Sequence, residues 1–135
     1  MSLADAQWGD FSGDYEDLVG AARAVMAVTH DPRRAAPALR AAYEKAGRIN
    51  ERLVRQYVAA GAVSPGERQG RAVRFGFRQL LQLVVARHLM AVDRWKLPQI
   101  AALMRTASAA ELRDLLPSQA AEALSSDRDW PGEAV

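Results

Sequence analysis

Cysteine is absent from the chain, histidine occurs twice, and no apolar run approaches the roughly 18–20 residues needed to cross a bilayer. Without cysteine there are no disulfides, no thiolate metal sites and no cysteine nucleophile, a composition that fits a reducing cytoplasm. The N-terminal Met1-Ser-Leu-Ala-Asp-Ala-Gln-Trp8 lacks the basic and apolar regions of a secretory signal. A cytoplasmic protein without a membrane segment is therefore expected. Catalytic pairings are lacking too. His88 falls on an apolar helical stripe and reads as a core-edge residue, and no nucleophile is matched with a base. Gly61-Ala-Val-Ser-Pro-Gly66 has the glycine spacing of a phosphate loop but continues with Glu67-Arg68 instead of Lys-Ser/Thr. The Asp14, Glu16 and Asp17 cluster suits a helix start rather than a metal. No enzymatic activity, cofactor or metal is expected.

Strand signals are also scarce, because alanine and leucine dominate and apolar residues recur at helical spacing. The 135 residues suffice for a core that needs no staple. An all-α fold with one small hairpin is expected. Tyr15, Leu18, Val19, Ala22, Val25 and Met26 make a first stripe, capped by Ser12 or Asp14 and stopping before His30-Asp-Pro32. Arg33-Arg-Ala-Ala-Pro37 connects to a helix from Ala38 to Ala46 that ends at Gly47. Asn50 is a good N-cap for the next helix, which Gly61 closes. Two short helices around a tight glycine-containing turn form a helix-turn-helix arrangement. Phe77, Leu80, Leu81, Val84, Val85, His88 and Leu89 recur at i, i+3, i+4, i+7 and onward, which predicts the spine of the core. Pro98 fits the first turn of a following helix, with Ile100, Leu103 and Met104 inward. Ser108-Ala-Ala-Glu111 is a capping box ahead of Leu112, Leu115 and Leu116, and Pro117 closes that helix. The tail beyond Ser118 has one weak helical turn, and its end from Ser125 is expected to be mobile.

Charge is segregated along the chain although the net value is only +2. Residues 1–31 carry one arginine against six carboxylates, residues 32–105 carry fifteen Lys/Arg against four, and residues 106–135 carry two against six. A basic middle between acidic ends is a field that a polyanion would feel locally. The helix from Asn50 carries Arg52, Arg55 and Gln56 on one side and Leu53, Val54, Tyr57 and Val58 on the other. Such a helix can rest on a core and offer guanidinium and amide groups to a DNA groove. The arginine-rich segment after it, with Arg68, Arg71 and Arg74, reads as a hairpin whose returning strand is Arg71 to Phe75, suited to clamp phosphates.

The order of these parts resembles the MerR-like winged helix-turn-helix family over about residues 38–105. The residues that carry the resemblance run from Asn50-Glu-Arg-Leu-Val-Arg-Gln-Tyr57 through Gly70-Arg-Ala-Val-Arg-Phe-Gly76 to Leu97-Pro-Gln-Ile-Ala-Ala-Leu103. The resemblance implies a second helix in the DNA major groove and a wing on the backbone. Asn50, Arg52, Arg55, Gln56 and Tyr57 then fall on the recognition helix, and Arg68, Arg71, Arg74 and Phe75 on the wing. Arg52 and Gln56 are candidates for base edges; Arg55 and the wing arginines are candidates for phosphates. Tyr57 and Phe75 have packing as the favoured alternative.

The chain also departs from the family pattern. Gln56 stands where many members have tyrosine. Only about thirty residues follow Met104, broken at Pro117, where full regulators have a long dimerisation helix and often metal-binding cysteines. Metal or drug sensing is not expected.

The expected organisation is therefore an acidic N-terminal segment with one amphipathic helix (1–32), a winged helix-turn-helix domain (33–105), and a short acidic C-terminal helix and tail (106–135). The expected function is a DNA-binding transcriptional regulator. Its partner would be double-stranded DNA, with a homodimer or cooperative assembly to lengthen the site. The alternatives are a protein-interaction module and an excisionase-like architectural DNA-binding protein; for Trp8, Phe11 and the stripe from Tyr15 to Met26, packing on their own domain is the favoured reading, ahead of self-association and of docking a partner. The acidic segment is also suited to fold over the basic face and restrain DNA binding, in which case deleting residues 1–31 should strengthen it.

Overall fold

A computed structural model describes residues 8–29 and 37–132. The chain is mostly helical with a small three-stranded antiparallel sheet. Seven α-helices follow in order among the described residues: α1 (Tyr15–Thr29), α2 (Pro37–Ala46), α3 (Glu51–Ala60), α4 (Phe77–Ala91), α5 (Leu97–Met104), α6 (Ala109–Arg113) and α7 (Ser118–Ala123). Strands β1 (Ser12–Gly13), β2 (Glu67–Gln69) and β3 (Ala72–Gly76) form the sheet in the order β1-β3-β2. The helix stop at His30-Asp31-Pro32 and the connector before Pro37 lie outside the described residues.

The local signals around the helices act as expected. Asn50 is extended at φ −143° and its side chain accepts from the Leu53 N–H at 2.8 Å, so α3 starts there. Gly61 ends α3 at φ +85°, a left-handed position at which its N–H reaches back to the Tyr57 and Val58 carbonyls. The Ser108/Glu111 box closes in both directions, at 3.1 Å from Glu111 N–H to Ser108 Oγ and 3.2 Å from Ser108 N–H to Glu111 Oε1. Asp14, and not Ser12, caps α1: its Oδ1 accepts from Asp17 N–H while Asp17 Oδ2 accepts from Asp14 N–H.

Helix α4 is the centre of the molecule. Every residue from Leu80 to Leu89 is buried, including Gln82, Arg87 and His88. The expected one-sided stripe is therefore too narrow. A helix apolar around most of its circumference belongs in a core covered on several sides, and α1, α2, α5 and α6 supply the cover. Gln82 is satisfied there by accepting from Ser64 N–H at 2.8 Å, which ties the loop after α3 to the core.

Leu18, Val19, Ala22, Val25 and Met26 of α1 belong to this same core. Their burial corrects the deletion test: removing residues 1–31 would expose α4 and unfold the protein rather than uncover a binding face. The same burial places the apolar stripe of α1 against the chain's own interior.

The C-terminal region also differs from expectation. Helix α6 ends at Arg113, before Leu115, Leu116 and Pro117, and Leu115 is exposed. The segment expected to be mobile is tied down through Trp130. Arg113 pairs in a fork with Asp129, Trp130 Nε1 donates to the Ala107 carbonyl at 3.0 Å, and Ala109 N–H donates to Trp130 O at 3.1 Å. The Arg113 guanidinium hydrogen-bonded to Asp129 holds that carboxyl below its usual value.

His88 adds a pH dependence to this core. Its ring is hydrogen-bonded to the Tyr43 hydroxyl, and burial lowers its pKa from an ordinary value of 6.5, with Asp93 acting the other way. The folded state then binds a proton less readily than the unfolded chain. Stability present above the unfolded value is lost as pH falls through 6.5 towards the lower folded value. We expect the denaturant midpoint to fall between pH 7 and pH 5, with a slope no steeper than about 1.4 kcal/mol per pH unit from this one site. A His88→Gln variant should show a flatter profile whatever its absolute stability. An identical slope would assign the acid sensitivity to other groups.

Candidate nucleic-acid interface

Helices α2 and α3 meet at the turn Gly47-Arg48-Ile49, and two arginines from elsewhere in the fold hold it. Arg87, on α4 and only 6% exposed, donates through Nη2 to the carbonyls of Ala46 and Gly47, the latter at 2.8 Å. Arg23, on α1, donates through Nε to the Ile49 carbonyl at 2.8 Å. The end of α2 and the approach to Asn50 are thus fixed by charge-assisted bonds that meet carbonyls left without helical partners. Neither arginine was singled out from the sequence, where each reads as an ordinary helix-surface charge. For Arg87 a usable signal exists: it interrupts a helix that is otherwise apolar on nearly all sides.

From this fixed turn α3 extends with Val54 and Tyr57 buried and with Arg52, Arg55 and Gln56 exposed. Arg52 and Gln56 lie one turn apart on the outer side, as read from the sequence. Tyr57 must be removed from the list of contact residues. Its ring is 2% exposed, its hydroxyl donates to Met90 Sδ at 2.9 Å, and Arg87 Nη1 donates to it at 3.4 Å. The i, i+3 spacing from Val54 turns Tyr57 inward, so it joins α3 to α4. Asn50 is exposed, but its side-chain oxygen is engaged as the N-cap.

The β2–β3 hairpin turns at Gly70-Arg71, with Gly70 at φ +66°, the left-handed first position for which tight hairpin turns use glycine. Arg71 therefore stands at the tip rather than in the returning strand. The register pairs Glu67 with Arg74 and Arg68 with Val73. Because side chains alternate across a strand, Arg68 and Arg74 point to opposite faces. Arg74 lies with Glu67 and donates to Ser12 Oγ at 2.9 Å, beside β1. Phe75 is buried, with its ring edge-on to Tyr15 at 4.8 Å.

Arg68 and Arg71 instead share a groove of about 530 Å³ with Arg55. Part of its wall is acidic: Asp14 and Glu16 line it from the start of α1 with Tyr15 between them, and Glu51 lines it from α3 beside Arg55. The Arg55 guanidinium sits 4.2 Å from the centroid of the Tyr15 ring and 3.3 Å from Glu51. Both members of that ion pair are more than half exposed, so it holds Arg55 only weakly, by about 0–1 kcal/mol. Three of the expected arginines thus converge between α3 and the hairpin, Arg74 does not join them, and the start of α1 adds carboxylates that the sequence reading had placed only as helix caps.

Among the described residues no helix is long and apolar enough to cross a membrane, and no group of three or more His, Asp or Glu residues could hold a metal. No family model, no curated protein and no solved structure matches this chain.

Proposed function

We propose that this chain is a DNA-binding regulator of the winged helix-turn-helix type, similar to the MerR-like family, in which α3 enters the major groove and the β2–β3 hairpin follows the adjacent backbone. The observation that carries the reading is the convergence of Arg55, Arg68 and Arg71 on one groove beside a helix whose Arg52 and Gln56 face solvent. Cations gathered on one groove suit phosphates, and the free guanidinium and amide suit guanine and adenine edges. A tight turn held by two arginines supports a contact helix whose orientation must not drift. One such surface reads a short half-site, so useful specificity requires a second copy or cooperative neighbours.

The acidic wall gives the protein-interaction alternative its one specific support, since a groove with both signs of charge also suits a polypeptide segment of mixed charge. Binding of the purified protein to fragmented genomic DNA across a salt series, with the retained pool sequenced, separates the two. A recurrent motif with steep salt dependence is expected. No retention at low salt would reject DNA binding and leave the interaction module.

A further inference from the structure

Beside the α2–α3 turn, between it and residues of α1, α2 and α4, lies a cavity of about 380 Å³. Arg23, Arg48 and Arg87 line it together with Met26, Tyr43 and Ile49. We propose that it binds a small organic anion, a carboxylate carried on an apolar body, and that occupancy stiffens the turn. The binding stands independently of the DNA reading; its effect on α3 as a DNA-contacting helix rests on that reading.

Three observations lead there. Arg87 is buried, yet no carboxylate among the described residues pairs with it; carbonyl dipoles and the Tyr57 hydroxyl are its partners. A guanidinium removed from water without a counter-charge leaves a positive potential in the space beside it. Second, Arg23 is half-buried at the cavity and uses only Nε, on Ile49 O, so its two terminal nitrogens remain as a fork for a carboxylate among the described residues. Third, the remaining lining is largely apolar, and the volume falls in the range of small-molecule sites. Glu44 also borders the cavity, but it is exposed and its charge is screened by water, whereas that of Arg87 is not. An anion with an apolar body satisfies both the potential and the walls. A free inorganic anion would leave the apolar part unfilled, and a neutral alcohol would leave the guanidinium unmatched.

The link to α3 is short. Ile49 directly precedes Asn50, the cap of α3. A carboxylate on the Arg23 terminal nitrogens holds the guanidinium in the orientation that keeps its Nε on Ile49 O, so a bound anion favours the ordered turn.

The test uses the full chain without DNA and a probe panel of hexanoate, benzoate and phenylacetate, with hexanol and benzyl alcohol as neutral counterparts. Melting temperature and backbone amide shifts are read by titration. At ten times Kd a carboxylate should raise Tm by about 4 °C, with the largest shifts at Arg23, Gly47 and Ile49. Arg23→Gln should weaken binding at least tenfold. Ala27→Phe, at an exposed position on the rim, should block the cavity while leaving both arginines in place. Equal binding of the alcohols would overturn the anion assignment, and no binding by any probe at millimolar concentration would overturn the site. With binding confirmed, hexanoate should slow amide exchange at residues 47–50; unchanged exchange would overturn the stiffening of the turn. A protein that binds carboxylates but never retains DNA would sink the regulatory reading and leave the site standing.

Discussion

Replacing Arg87 by alanine should destabilise the protein by about 3 kcal/mol and loosen the α2–α3 turn more than any other part. Two opposing terms decide the size. Removing a buried, unpaired guanidinium relieves its desolvation cost, and on that ground alone the variant could gain stability. Against this stand hydrogen bonds from a charged donor to the Ala46 and Gly47 carbonyls, worth about 1.5–3 kcal/mol each. The aliphatic stem is lost as well, from a helix with no exposed flank between Leu80 and Leu89. Gly47 is exposed, so water can recover part of its bond, which keeps the total nearer 3 than 6. Arg87→Met keeps the stem and removes the charge, and should recover roughly half of the loss. Arg87→Lys keeps the charge but cannot span both carbonyls and the Tyr57 hydroxyl, and should fall between the two. Denaturant unfolding gives the stabilities and amide exchange at residues 46–50 gives the local effect. A loss below about 0.5 kcal/mol for Arg87→Ala, with unchanged exchange at the turn, would mean that the clamp does not hold it.

This arginine also marks where the sequence stopped being legible. Asn50, Gly61 and the Ser108/Glu111 box are signals between near neighbours, and local chemistry is enough to place them. The helices on either side of Gly47 were visible for the same reason. Strand β1 was not. Ser12 and Gly13 have no alternation to read, and they are extended because β3 offers an edge more than sixty residues away. Burial of a charged residue is likewise a property of what packs on it. Arg87 and Arg55 are the same residue type on amphipathic-looking helices, yet α1 and α2 enclose the α4 that carries the first, while the second faces a groove. The hairpin was legible as a hairpin, but its returning strand begins at Ala72 and not at Arg71, so the turn lies one residue later than the sequence suggests. With the turn at Gly70-Arg71, alternation separates Arg68 from Arg74, and a set of three equivalent clamps becomes two groups. The site residues that the sequence did bring forward, Arg52, Gln56, Arg68 and Arg71, are all exposed and lie on α3 or the hairpin. Tyr57 packs inward, as its favoured reading had it, because it continues the apolar side of α3 from Val54; only its alternative place among the contact residues is lost.

That division makes the hairpin and helix substitutions informative as a set. Arg68→Ala and Arg71→Ala should each weaken binding to every DNA sequence and lower the salt slope by about 0.9, the signature of one lost phosphate contact. Arg74→Ala, whose side chain is held on the other face by Ser12, should change the slope by much less. Arg52→Ala and Gln56→Ala should leave the slope nearly unchanged and relax preference at one base position each, with a discrimination loss of about 1–3 kcal/mol. The acidic wall predicts the opposite sign. Asp14→Asn with Glu16→Gln removes two charges that line the same groove as Arg68 and Arg71, and asparagine keeps the cap on α1. Affinity for all sequences should rise about fivefold at low salt, and the gain should vanish near 1 M salt, where the screening length is about 3 Å. This is the form in which the acidic segment can restrain binding, through two side chains at the groove rather than a removable flap. If the neutralised protein binds no better than the parent while Arg68→Ala and Arg71→Ala still lower the slope, the carboxylates lie outside the DNA path. If none of the arginine substitutions moves either slope or preference, the groove between α3 and the hairpin is not a nucleic-acid surface, and its mixed charge belongs to a protein contact.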